Sequence, residues 1–339
     1  LAPTDSDEEA FFTDRLLAAV RFFGAIAGDE VEFALDLDGR QWSLRPAHLE
    51  GSGFRSWERF LVDGREMITR EKGDNNMVVQ KAGGKKYPAG DTLALACAIN
   101  NDAVDQQAIM PILNLVRGFR SYGAYDIPSL RRSGSPVSSD RRMDRAGRNV
   151  FSVLRGWRDR RADRHKVDFV LASLGRAFPD FYGDVDFEEV AQIVTAEVRL
   201  KQFEQLIQLP LVPDGWFVAL LHLTAVASAE PGGVISIDEP ENALHPFAIR
   251  QLIDAFREWS ELHGVTVLLA THSPVLLDTF KEESNRIFVM EPGRETLPVA
   301  LDVLKTPNWL AHFALGDLYA HGEYGAPPEA ETPSGGHAA

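Results

Sequence analysis

Two short apolar runs, 233–237 (GVISI) and 265–270 (VTVLLA), flank a stretch in which Ile249, Leu252, Ile253, Phe256 and Trp259 recur at helical spacing. Runs this short and this rich in β-branched residues suit strands covered on both faces. Pro246 stands at a first helical position and Gly264 just past the last one, so the punctuation agrees with the periodicity. The unit reads as strand, helix, strand, and such a unit builds a parallel sheet. Residues 286–290 (RIFVM) supply a third strand candidate.

Each run ends in a polar cluster, Asp238-Glu239-Pro240-Glu241-Asn242 after the first and Thr271-His272-Ser273-Pro274 after the second. Strand ends are where ligands bind in an open parallel sheet. Asp238 is placed to hold Mg²⁺ through water, because a hard cation takes oxygen ligands and keeps part of its hydration shell. Glu239 points to the other face and is the candidate to orient or deprotonate a water attacking a γ-phosphate. Pro240 disfavours the α region for Glu239 and predicts an extended segment there. His272, 34 residues after Asp238, can hydrogen-bond a phosphate oxygen, and Ser273-Pro274 reads as a helix cap and first turn. Taken singly, the acidic cluster could be a cap and the histidine structural. Together at two strand ends they favour a nucleotide site.

Upstream, 31–37 alternates apolar and polar residues as far as Asp38-Gly39, and Asp63-Gly64 lies between a second pair of runs. Asp-Gly supplies the positive φ of tight hairpin turns, so residues 31–90 read as an antiparallel β subdomain after an N-terminal helical segment, 1–30. Residues 93–119 read as helical, with Pro111 expected to break or kink them. They open a helical insertion, 91–188, in which 150–157 and 167–178 are the other helix candidates. An ATPase-like core is expected over 189–325 and a disordered tail over 326–339.

The chain carries 35 Lys and Arg against 50 Asp and Glu, a net charge of −15, yet residues 131–166 alone hold twelve basic and four acidic residues. Phosphates of a nucleic acid are one partner for such a stretch. The preferred reading is that its arginines pair with this acidic protein's own carboxylates, since only Phe151 and Trp157 offer stacking surfaces. Cys97 is the single cysteine, so neither a disulfide scaffold nor a thiolate metal site is available, and a reducing cytoplasm is the expected setting. The longest apolar run, 217–229, contains His222 and is shorter than the roughly 18 residues a spanning helix needs. The acidic start LAPTDSDEEA lacks the order of a secretory signal. It opens on Leu1, so either a start codon is translated literally or the chain is a fragment of something longer. No G-x-S-x-G, H-E-x-x-H or cysteine pair is present. Glu241 and His245 are four apart, but Pro246 argues for a loop there and against a shared metal.

IDEPENALHP with ATHSP resembles the Walker B, D-loop and His-switch region of the ABC-type ATPases, within them the RecF-like or AAA_21 branch. The resemblance is specific over 211–274 and loose over about 30 to 325, where it takes in DRAGRNVFSVL at 144–154 and the late ALGDLYAHGEYG. It places Leu211-Val212-Pro213-Asp214-Gly215-Trp216 where that branch carries its signature. The fold it implies is α/β: an ABC-ATPase-like P-loop NTPase core with a parallel sheet, the antiparallel β subdomain and the helical insertion. It implies ATP and Mg²⁺ as cofactors, Glu239 and His272 as catalytic, Asp238 as the metal residue, and nucleotide contacts from Asp214, Gly215, Asn242 and His245. A homodimer formed on ATP binding and a neighbouring effector protein are the implied partners, with no membrane.

Two departures stand out. Pro213 offers no hydroxyl and no N–H where a signature serine would meet the γ-phosphate. No G-x-x-x-x-G-K-[ST] occurs; Gly84-Lys85-Lys86 lacks the earlier glycine and the hydroxyl, so a backbone cradle for phosphate is absent. A missing upstream segment is the simplest explanation. Two readings follow, an ATP-hydrolysing core and a non-catalytic scaffold of the same fold.

Overall fold

Asp63-Gly64 turns the chain as its composition requires, with φ of +48° and +73° at the two residues. The structure, a computed structural model, describes residues 33–37, 39–45, 48–49, 53–54, 57–71, 74–80, 83–89, 94, 97–98, 105–201, 206–290 and 298–325. The expected N-terminal helical segment and C-terminal tail lie outside the described residues. The chain divides into two units, Leu1–Phe119 and Arg120–Ala339.

In the first unit, β1 (Phe33–Leu37), β2 (Arg40–Arg45), β5 (Trp57–Val62), β6 (Arg65–Arg70), β7 (Asn76–Val79) and β8 (Lys85–Pro88) form one antiparallel sheet in that order, while β3 (His48–Leu49) and β4 (Gly53–Phe54) pair separately. Alternation sends Trp42, Leu44, Phe60, Ile68, Met77 and Val79 into one core. Ile109, Ile112, Leu113 and Val116 of α1 (Gln106–Gly118) share that core. Pro111 lies inside α1 and does not end it. The burial of that apolar face offsets the roughly 3 kcal/mol of an interior proline. Glu58, buried in the sheet, accepts hydrogen bonds from the Trp42 indole at 2.9 Å and the Ala94 N–H at 2.6 Å.

The second unit is a mixed α/β assembly. Among the described residues its parallel sheet has three strands in the order β15 (Thr266–Ala270), β14 (Val234–Asp238), β9 (Arg120–Tyr122). The third parallel strand is therefore β9, just past the expected helix of 93–119 and inside the stretch expected as a helical insertion. Three residues are too few to display a strand period. The candidate at 286–290 yields β16 (Phe288–Val289), which pairs antiparallel with β17 (Val299–Ala300) and not with the parallel sheet. A second correction concerns β15: Thr266, Leu268 and Ala270 are exposed, so this strand is not covered on both faces. Among the described residues it pairs with β14 alone and forms an edge.

Between β9 and β14 the chain forms α2 (Ile127–Ser133), β10 (Ser135–Pro136), α3 (Val150–Asp159), α4 (Arg164–Ala177), β11 (Tyr182–Val190), β12 (Ile193–Leu200), β13 (Leu206–Gln208) and α5 (Asp214–Ser228). The apolar run at 217–229 falls in α5, where every residue from Trp216 to Ser228 is buried, as a helix apolar all round must be. No helix among the described residues is long and apolar enough to cross a membrane. α6 (Pro246–His263) joins β14 to β15; it starts at Pro246 and ends on Gly264 at φ +66°, as the punctuation predicts. Four arginines of the basic stretch pair with the protein's own carboxylates: Arg142 with Glu230 at 2.9 Å, Arg148 with Asp126 at 3.0 Å, Arg131 with Asp214 and Arg155 with Glu189. After β15 come α7 (Pro274–Asp278), α8 (Leu301–Leu304), α9 (Pro307–Leu310) and α10 (Leu315–Ala320), packed round Leu277, Ile287, Val289 and Leu318.

Candidate functional site

Parallel register brings the two polar clusters together. Asp238 ends β14 opposite Ala270, the last residue of β15, and His272 follows two residues on. Asp238, Glu239 and His272 thus leave the sheet at one carboxyl edge, all three exposed. Gly123, just past β9, closes the same edge, since a Cβ there would stand 3.0 Å from that of Asp238.

Hydrogen bonds tie the clusters to each other. The Glu239 N–H donates to the Ala270 carbonyl at 2.8 Å. Glu241 reaches the other way: its Oε1 accepts from the Thr271 hydroxyl at 2.7 Å and the His272 N–H at 3.3 Å. Sequence reasoning weighed Glu241 only as a metal partner of His245, and its cross-strand role carries no local signal. His245 instead caps α6, its Nδ1 accepting from the Phe247 N–H at 3.3 Å. Asn242 donates through Nδ2 to Glu239 Oε2 at 2.8 Å, so this amide and the carboxylate already form a pair.

Glu239 departs from the extended conformation predicted from Pro240. Its φ is +46°, in the left-handed region, and Ala243 follows at +61°. The reason is a pair of successive turns, Asn242 N–H to the Glu239 carbonyl at 3.1 Å and Leu244 N–H to the Glu241 carbonyl at 3.0 Å, together with the bond to Ala270. For a non-glycine residue this costs on the order of 1 kcal/mol, and such strain concentrates at functional positions.

The signature-like stretch packs on the same loop. A Cβ at Gly215 would lie 2.6 Å from the Ala243 carbonyl, so only glycine lets α5 approach so closely. Asp214, at the first position of α5, is ion-paired with Arg131, a partner 83 residues away that no local pattern marks. Pro213 occupies the cap position with no side-chain bond. Two turns along α5 from Gly215, His222 is 2% exposed and its Nδ1 lies 2.9 Å from the Tyr125 hydroxyl. Burial pushes its imidazole down to about 3, although the Pro240 carbonyl favours the protonated form. Burial also lifts the Tyr125 phenol well above its usual value, so the pair is neutral.

Among the described residues no group of three or more His, Cys, Asp and Glu can hold a metal ion. Mg²⁺ commonly uses one or two carboxylates with phosphate oxygens and water. Asp238, exposed at the end of β14, is one such carboxylate.

No curated protein matches the chain. Three solved structures are distantly similar to it. An Smc head bound to the C-winged helix domain of ScpA aligns with TM-score 0.36 at 9% identity, covering 71% of this chain and 69% of that one. The SMC head domain from Thermotoga maritima aligns with TM-score 0.31 at 10% identity, covering 71% and 67%. The Smc head domain with an extended coiled coil, bound to the C-terminal domain of ScpA derived from Pyrococcus furiosus, gives 0.34 at 8% identity, covering 71% and 72%. Residues 116–278 match the family described as AAA domain, putative AbiEii toxin, Type IV TA system. That match spans both polar clusters and the signature-like stretch, so this segment of the chain is similar to the AAA domains of that family.

Proposed function

We propose that this chain is the ATP-binding and ATP-hydrolysing core of an ABC-type ATPase. The observation that carries the reading is the in-register convergence of Asp238, Glu239 and His272 at the carboxyl edge of one parallel sheet. Asp238 would hold Mg²⁺ through water, and the metal when bound neutralises phosphate charge. Glu239 would take the proton of the attacking water. His272 would meet the γ-phosphate, and Asn242, already bonded to Glu239, would keep that carboxylate in place. Asp214, Gly215 and His245 would serve a nucleotide clamped between two copies of the chain. ATP would drive assembly, hydrolysis would release it, and a neighbouring effector would read the cycle.

A strand bearing a phosphate loop would complete the site, and β15, one of the sheet's two edges among the described residues and the strand that leads to His272, is where it would join. The absence of that loop from the sequence and the engagement of Asp214 by Arg131 favour a second reading, a scaffold that binds no nucleotide by itself.

Isothermal titration with ATP·Mg²⁺ separates the two. This chain alone is expected to bind weakly or not at all, and the gene product including any segment before Leu1 to bind saturably. In the latter, Glu239→Gln should keep binding while turnover falls by a factor on the order of 10²–10⁴. Undiminished turnover would remove Glu239 from the mechanism. No turnover in the unsubstituted protein would leave the scaffold.

A further inference from the structure

Helix α10, the last among the described residues, reaches the edge where His272 stands. Leu315 and Leu318 anchor it among Leu277, Ile287, Val289 and Leu301. At Gly316 the approach is to backbone distance: an added Cβ would lie 2.5 Å from the Pro274 carbonyl oxygen. The Gly316 N–H donates to Asp278 Oδ1 at 2.8 Å, so α10 is tied to both ends of α7, the helix that His272 and Ser273 lead into. One turn further along the same face, the Tyr319 hydroxyl lies 2.7 Å from His272 Nδ1. Tyr324 packs against the Tyr319 ring at 5.8 Å and donates its own hydroxyl to the Leu315 carbonyl at 2.8 Å, which braces the phenol.

We propose that Tyr319 is a positioning residue that fixes the orientation and tautomer of the His272 imidazole. This rests on the reading of His272 as a phosphate contact. Glu241 holds the histidine's backbone from the β14 side and Tyr319 holds its ring from the α10 side. A phenol is a better donor than acceptor, so Nδ1 accepts and the ring proton resides on Nε2. An Nε2–H is the donor that a phosphate oxygen requires; the other tautomer would offer phosphate a lone pair. The switch-like histidine is thus set before nucleotide arrives, by a residue 47 positions away.

Imidazole ¹⁵N spectra of the full chain test this, with His272→Gln identifying the resonance among nine histidines. His272 should be almost wholly the Nε2–H tautomer. Tyr319→Phe, which removes one oxygen and keeps the ring, should lower that preference by about tenfold, the worth of one net hydrogen bond. Gly316→Ala, which keeps the Tyr319 hydroxyl but forces α10 away from Pro274 and so draws that hydroxyl off His272, should do the same. An unchanged tautomer ratio in both variants would overturn the proposal. The nucleotide reading has its own arm: in the gene product including any segment before Leu1, ATP·Mg²⁺ should shift the His272 Nε2 signal. If it does not, while Tyr319→Phe still changes the tautomer, the phosphate role falls and the positioning contact stands.

Discussion

β14 and β15 lie side by side, run parallel and share one sequence grammar, yet they live in different surroundings. Ile235 and Ile237 of β14 are wholly buried, whereas Leu268 of β15 is 50% exposed. β14 has a neighbour on each side and helix α5 across it; β15 has β14 alone among the described residues. Apolar periodicity reports what a residue wants and not whether a neighbour is there to meet it. The same contrast divides the site. Its β14 half rests on a buried floor, with the His222–Tyr125 pair, and its β15 half is held by exposed hydrogen bonds, from the His272 N–H to Glu241 and between the His272 ring and Tyr319.

The largest effect expected from this contrast is in the core. Ile237→Ala should lower stability by ~2–5 kcal/mol in urea unfolding, as for other buried aliphatic truncations. A loss no greater than that at Leu268 would break the comparison.

Acid should next distinguish the buried floor. The His222 pKa of about 3 lies below its ordinary 6.5, so between these values the folded protein binds fewer protons than the unfolded chain. The contribution is intact above pH 6.5 and is lost as pH falls towards 3, by up to ~1.4 kcal/mol per pH unit. His222→Gln, which cannot titrate, should flatten that part of the urea-midpoint profile relative to the parent. Parallel profiles would mean that the imidazole is not held neutral by burial.

Smaller still is the strain at the strand end. Glu239→Gly should raise stability by ~1 kcal/mol by relieving the left-handed conformation, while Glu239→Gln should not. Equal midpoints would show that the turn, not the residue, sets the energy. The smallest change belongs to the edge: Leu268→Ala should cost under ~1 kcal/mol in this chain, because half of the side chain already meets water. A larger cost would mean that something covers β15.

The strand–helix–strand unit was legible because each element is long enough to show its period and is closed by Pro246 or Gly264. Asp238, Glu239 and His272 were legible because polar residues directly after buried strands stand out. The conformation of Glu239 was not, since Pro240 argues for extended backbone and only the turns with Asn242 and Ala270 overrule it. β9 was hidden by its length of three residues.

By itself the sequence determined the strand–helix–strand order of 233–270, the caps of its helix, the Asp63-Gly64 turn and the presence of two chemical clusters. These are local matters of backbone preference and apolar spacing, decided within a few residues. Tertiary structure alone decided which distant groups meet: Tyr319 with His272, His222 with Tyr125 across 97 positions, Arg131 with Asp214. Such pairs depend on where packed elements bring their side chains, and a hydrogen bond spanning that separation leaves no periodic trace in the chain.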